Sequence, residues 1–157
     1  MIGKTLFVCA VSALALPLIH PFGPVRDHHS TTALPNMPLI EQSCQDCHSE
    51  RTEWPVYSYL PGASWLVEKD VADARMKMNF SRWAQYSIAE RWGLLASIAA
   101  ELRSRQMPPA RYTFLHPHAH LSDHDIQQIY EWTKRQRNIL RAEGINHPRA
   151  ESASMPQ

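Results

Sequence analysis

Cys44-Gln45-Asp46-Cys47-His48 sets two thiols and an imidazole within one short stretch. This is the spacing of a covalent c-type haem attachment site. Each cysteine can trap one haem vinyl group as a thioether. Two intervening residues let both thiols face the same porphyrin edge from one turn of helix. The adjacent histidine then projects beneath the ring and can donate a nitrogen to iron. Other chemistries share the cysteine spacing. A dithiol redox pair uses it, but no βαβ pattern surrounds it here. A zinc site needs a second Cys/His pair, and none follows at a matching interval. A Cys44–Cys47 disulfide leaves His48 without a role.

The chain has 157 residues, of which 44% are hydrophobic and 20% charged, and a net charge of +1. Such a balance argues against a polyanion partner such as nucleic acid. Without its terminal segments the chain has about 100 residues, the size of one small domain. A domain of that size has a limited core of its own, which a buried haem would enlarge.

At the N-terminus, Lys4 precedes an apolar run from Thr5 to Ile19. A basic flank followed by an apolar stretch is the pattern of an export signal. Two readings stand for residues 1–22: a cleaved signal peptide, or a retained hydrophobic helix acting as a membrane anchor. An anchor here is short against the ~20 residues that usually span a bilayer. The third cysteine, Cys9, lies inside this segment, and the bulky Val8 before it argues against a lipid-modified cysteine. Residues 23–38 hold Gly23, Pro24, Pro35 and Pro38 and read as an extended linker in which His28 and His29 are solvated. Residues 39–143 form the expected haem-binding domain, and residues 144–157 a flexible tail.

Within the domain the pattern is helical. Leu39 to Cys47 is expected to form a short helix that delivers the attachment motif. Arg51 to Ser64 reads as aromatic-rich turns, Trp65 to Asp73 as a short helix, and Met76 to Trp83 as a turn. Ser87-Ile88-Ala89-Glu90 is a capping box. Its helix is expected to reach Arg103, with Ile88, Trp92, Leu95, Ala99 and Leu102 on one apolar stripe and Ile98 beside it. Ser122-Asp123-His124-Asp125 is a second capping box. The helix after it is expected to run to about Arg141, with Ile126, Ile129, Tyr130, Thr133 and Ile139 or Leu140 inward and Trp132 beside them. Gly144 reads as its stop. No segment alternates as a strand would.

A haem iron has a second axial position. Met107 is one candidate, because it follows a helix and its backbone is stiffened by Pro108 and Pro109. A loop methionine can equally fill a gap in packing. His116, His118 and His120 compete for the same role, and their spacing also suits an ordinary solvated loop. The residues alone leave this choice open.

Taken together, Cys44-Gln45-Asp46-Cys47-His48-Ser49, Trp54-Pro55, Tyr57, Trp65, Asn79-Phe80-Ser81, Trp83, Met107-Pro108, Tyr112, His116-Pro117, Ala119, Leu121-Ser122 and Trp132 resemble a known pattern. It is that of the small exported haem-binding-domain family related to single-haem cytochromes c, and the likeness spans roughly Leu39 to Trp132. The resemblance implies a mostly α, cytochrome c-like domain with long loops around one covalent haem c. It implies iron ligation by His48 and Met107. It also implies cofactor contacts from Trp54, Tyr57, Trp65, Asn79, Phe80, Trp83 and Tyr112. The family usually has Gly-Arg before its Asn-Phe-Ser motif, where this chain has Ala74-Arg75. Arg75 is the residue that would pair with a haem propionate. The function implied is electron transfer, not enzymatic turnover, with a redox protein or membrane redox complex as partner. The expected location is the periplasmic side of the inner membrane or the soluble periplasm. A haem-based sensor, a peroxidatic enzyme with an open distal site, or a structural haem subunit are the alternatives.

Overall fold

The computed structural model describes residues 36–146. The expected signal or anchor, most of the linker, Cys9, His28, His29 and the chain beyond residue 146 lie outside the described residues. Every regular element among the described residues is helical: α1 (Pro38–His48), α2 (Ala63–Lys77), α3 (Ile88–Arg103), α4 (Ala110–Leu115) and α5 (Asp123–Asn146). Short 3-10 turns occupy Val56–Tyr59, Phe80–Gln85 and Pro117–Ala119. No described helix is long and apolar enough to cross a membrane.

The described residues fall into two compact units. One is Asp46–Asn79; the other comprises residues 36–45 and 80–146. Helix α1 is continuous across the division, with Cys44 in the larger unit and Cys47 and His48 in the smaller.

The larger unit is built on α3 packed against α5. Ser87 caps α3: its hydroxyl accepts from the Glu90 amide at 3.2 Å, and the Glu90 carboxylate accepts from the Ser87 amide at 2.7 Å. Ser122 and Asp125 do the same for α5, at 3.2 and 2.9 Å. Each cap satisfies amides that have no partner within the helix. From α3, Leu95, Ile98, Ala99 and Leu102 are buried; from α5, Ile126, Ile129, Trp132, Thr133 and Leu140. Ile40, Phe80, Trp83, Ala119 and Leu121 complete this core. The buried Thr133 hydroxyl donates to the Tyr130 carbonyl at 2.8 Å, so it enters the core with its polar atom satisfied.

Several expectations are corrected. Helix α2 is longer than anticipated at both ends, and Gly62, at φ +82°, turns the chain directly into its start. Met76 and Lys77 complete its last turn, and Phe80–Gln85 winds as a 3-10 turn. Trp92 leaves the α3 stripe and is 44% exposed, its ring covered by Arg137 of α5. Tyr130 is half-buried beneath the Arg103 guanidinium, 4.9 Å from its centroid. Gly144 does not stop α5, which continues to Asn146. Gly144 is half-buried, and a methyl group there would lie 3.7 Å from the Ile88 side chain at the start of α3.

The smaller unit has a different balance. Helix α2 packs against the Val56–Tyr59 turn. Its buried apolar side chains are Val71 and Ala74; its other buried positions are polar, namely Ser49, Glu50, Ser58, Ser64, Glu68 and Asn79. Meanwhile Val56, Tyr59, Leu60, Leu66 and Met76 are between 51% and 86% exposed. Among the described residues of this unit apolar burial is therefore slight, and covering the exposed apolar side chains would add to its stability.

Candidate functional site

Cys44, Cys47 and His48 lie on α1, whose regular helix ends at the histidine. Both cysteines are half-buried thiols. Three residues apart on a helix, they occupy one face about one turn apart. Helix α1 is anchored at both ends. In the larger unit, the Gln42 side chain donates to the carbonyl of His118. In the smaller unit, the Thr52 hydroxyl donates to the Asp46 carbonyl at 2.6 Å, and the Asp46 carboxylate accepts from the Glu53 amide at 3.2 Å.

His48 has a defined orientation. Its Nδ1 lies 3.1 Å from the carbonyl of Met78, the residue that ends α2. A carbonyl can only accept, so Nδ1 carries a proton in this contact. Burial, the largest influence, holds the ring below its ordinary value of 6.5. Hydrogen bonds to the Met78 and Ala74 carbonyls oppose that shift, and nearby Lys77 adds to it. The imidazole is therefore neutral at neutral pH, the form that binds metals.

A second link holds the same two segments. Buried Asn79 donates from Nδ2 to Oε1 of buried Glu50 at 3.0 Å. His48 and Glu50 on one segment thus meet Met78 and Asn79 on the other. Arg75 donates to the Thr52 hydroxyl at 2.9 Å. Ala74, in the family's glycine position, lies buried inside α2, where alanine favours the helix. Tyr57 has its phenol pushed up by burial, then by the charges of Cys47 and Asp46. Trp54 is half-buried, and Trp65 is 36% exposed.

In the larger unit, Phe80 and Trp83 are buried core residues, and Trp83 packs edge-on against Tyr86 with centroids 6.1 Å apart. Tyr112 stacks on His116 at 4.4 Å, and His118 meets His116 edge-on at 5.6 Å. Among the described residues no three His, Cys, Asp or Glu side chains are grouped to hold a metal, so the histidine run is no metal cluster. Met107 is half-buried in the loop after α3. Two residues earlier, Arg105 has φ +59° and ends the helix. Its guanidinium donates to the Leu121 carbonyl at 3.3 Å and to the Asp123 carboxylate, which closes the base of the Met107 loop onto the start of α5.

These features fit a haem. Paired thiols on one helix face, a neutral histidine directly after them, and several exposed apolar side chains among the described residues of the smaller unit suit a large apolar disc with a central metal. The model of the haem-binding domain matches residues 24–135, more than half of the chain. The chain belongs to the haem-binding domain family.

This haem-binding domain is also 31% identical over 102 residues to the cytochrome c peroxidase of Escherichia coli strain K12. The similar stretch is 63% of this chain and 22% of that enzyme, so the chain spans a small part of the relative's length. No solved structure matches it.

Sequence reasoning missed the Met78 carbonyl, Glu50, Thr52, Gln42 and the bridging role of Arg105. A backbone acceptor has no residue-type signal. The side chains are of common types whose partners lie far along the chain. Glu50 alone left a trace, as an acid two residues from the motif.

Proposed function

We propose that this domain carries one covalently attached haem c and passes electrons between redox partners outside the cytoplasm. Cys44 and Cys47 would hold the porphyrin through thioethers. His48 would ligate iron through Nε2, and Met107 would close the opposite side. When bound, the haem supplies a one-electron ferrous–ferric couple. The observation that carries the reading is the His48–Met78 hydrogen bond on the helix that bears both thiols. It fixes the ring's tautomer and direction before any ligand arrives, and it makes Nε2 a stronger donor. The Glu50–Asn79 bond restrains the same two segments. The Arg105 bridge restrains the loop that carries Met107. A carrier needs such rigidity, since little then moves when the charge on iron changes.

The likeness to a peroxidase supports a second reading, in which the distal position is open and a loop histidine such as His116 handles protons. Optical spectra of the purified holoprotein separate the two. A low-spin ferric spectrum with a methionine charge-transfer band, lost in Met107→Ala, is the expected result. An unchanged low-spin spectrum in that variant overturns the Met107 assignment. High-spin ferric iron with rapid peroxide turnover favours the enzyme. Mass spectrometry of the intact chain, alone and after Cys44→Ala or Cys47→Ala, tests covalent attachment and haem count.

A further inference from the structure

Helices α3 and α5 leave a half-open groove of about 380 Å³ on the larger unit, lined by Trp92, Lys134, Arg137, Asn138 and Arg141. Its charge is concentrated. Between Trp132 and Ala142 the sequence holds Lys134, Arg135, Arg137 and Arg141 and no carboxylate, although the whole chain has a net charge of only +1. No carboxylate among the described residues pairs with Lys134, Arg137 or Arg141. Cations favour the last turn of a helix, but that influence fades within a turn. Lys134 lies near the middle of α5, so the helix dipole does not account for it.

The groove is also ordered. The Arg137 guanidinium sits 5.4 Å from the Trp92 ring centroid, and its Nε donates to the Thr133 carbonyl at 3.4 Å. A cation over an aromatic face is held there by the ring's quadrupole, which lowers the entropy lost on binding an anion. From Lys134 to Arg141 the cations extend about 10 Å along the helix axis, a length suited to several carboxylates in a row.

We infer that this groove docks an acidic segment of a protein partner. The partner's identity as the one that exchanges electrons with the haem rests on the carrier reading above. A protein segment suits the groove better than a flat bilayer does. The surface is concave, and Arg137 covers the Trp92 ring that would otherwise insert among lipids. Residue 92 lies near the start of α3, whereas the Met107 loop follows its end. About 16 Å of helix separates docking there from the distal ligand, so a partner can dock without touching Met107.

The test uses the full-length ferrous holoprotein, labelled with nitrogen-15, and a hexaglutamate peptide. Saturable shifts of the Trp92 indole N–H and of the amides from residue 134 to 141, weakening as salt is raised, are expected. The triple variant Lys134→Ser, Arg137→Gln, Arg141→Gln should bind about tenfold more weakly, as expected for losing three partly exposed charge pairs. Arg135→Gln removes a charge from the same helix outside the groove and should bind as wild type. Equal binding by the triple variant, or shifts confined to other surfaces, overturns the proposal. So do the same shifts with inorganic phosphate, which mark a small-anion site, or with phosphatidylglycerol vesicles alone, which mark a membrane face. Peptide binding is read without turnover. Its failure leaves the carrier reading standing, and absence of a reversible couple would sink that reading while leaving the docking result intact.

Discussion

The ring of His48 donates from Nδ1 to the carbonyl of Met78, thirty residues further along the chain. One hydrogen bond therefore joins the end of α1 to the end of α2 and fixes how the ring is held. Helix ends supply carbonyls without intrahelical partners, and here one of them orients the His48 ring.

The Glu50–Asn79 bond beside it should be a principal support of the smaller unit. Asn79→Ala removes a buried donor to a carboxylate, and a loss of about 1–3 kcal/mol is expected. Urea unfolding of the holoprotein measures it. Asn79→Asp, which sets a second carboxylate against Glu50, should cost more. If both variants match wild type, the bond contributes nothing measurable.

Thr52 connects two segments through one hydroxyl, accepting from Arg75 and donating to Asp46. Thr52→Val keeps the shape and removes both bonds. A loss of about 1–2 kcal/mol is expected. Thr52→Ser should retain most of the stability. A valine variant as stable as wild type would show that Arg75 is held by other contacts.

The caps of α3 and α5 make stability depend on acid. Hydrogen bonds from the Ser87 amide and hydroxyl hold Glu90 below its ordinary value of 4.5. The Ser122 hydroxyl, then its amide, holds Asp125 below 3.8. A depressed carboxylate contributes stability that is complete above its unfolded value and is lost as pH falls through the lower folded one. The double variant Glu90→Gln, Asp125→Asn should thus show a shallower loss of stability than wild type as the pH falls below about 4.5. Parallel curves of melting temperature against pH would contradict this.

Blocking haem attachment should affect the two units unequally. In a Cys44→Ala, Cys47→Ala chain purified without haem, amides of residues 46–79 should exchange with solvent much faster than in the holoprotein. Those of α3 and α5 should stay protected, because their core is made of their own side chains. Equal loss of protection throughout would mean that the chain folds as one cooperative whole around its cofactor.

Much of this was legible locally. The attachment motif, the helix that bears it, and the Ser87 and Ser122 caps depend on residues three or four positions apart, so their types and spacing suffice. The inward positions Leu95, Ala99, Leu102, Ile126 and Ile129 followed from helical period alone. The same reasoning failed where a distant partner decides. Register alone places Trp92 on the buried stripe, yet it lies under Arg137. Gly144 is a stop signal by residue type, yet the helix runs on to Asn146.

By itself, then, the sequence determined a helical domain of the haem-binding family, because its helix periodicity, caps and family pattern are all written in local residue order. Tertiary structure decided how the His48 ring is held, since that depends on a carbonyl thirty residues away. It also decided that Glu50 meets Asn79 and that Lys134, Arg137 and Arg141 line one groove with Trp92. Hydrogen bonds and charge clusters of this kind arise only when separate segments meet.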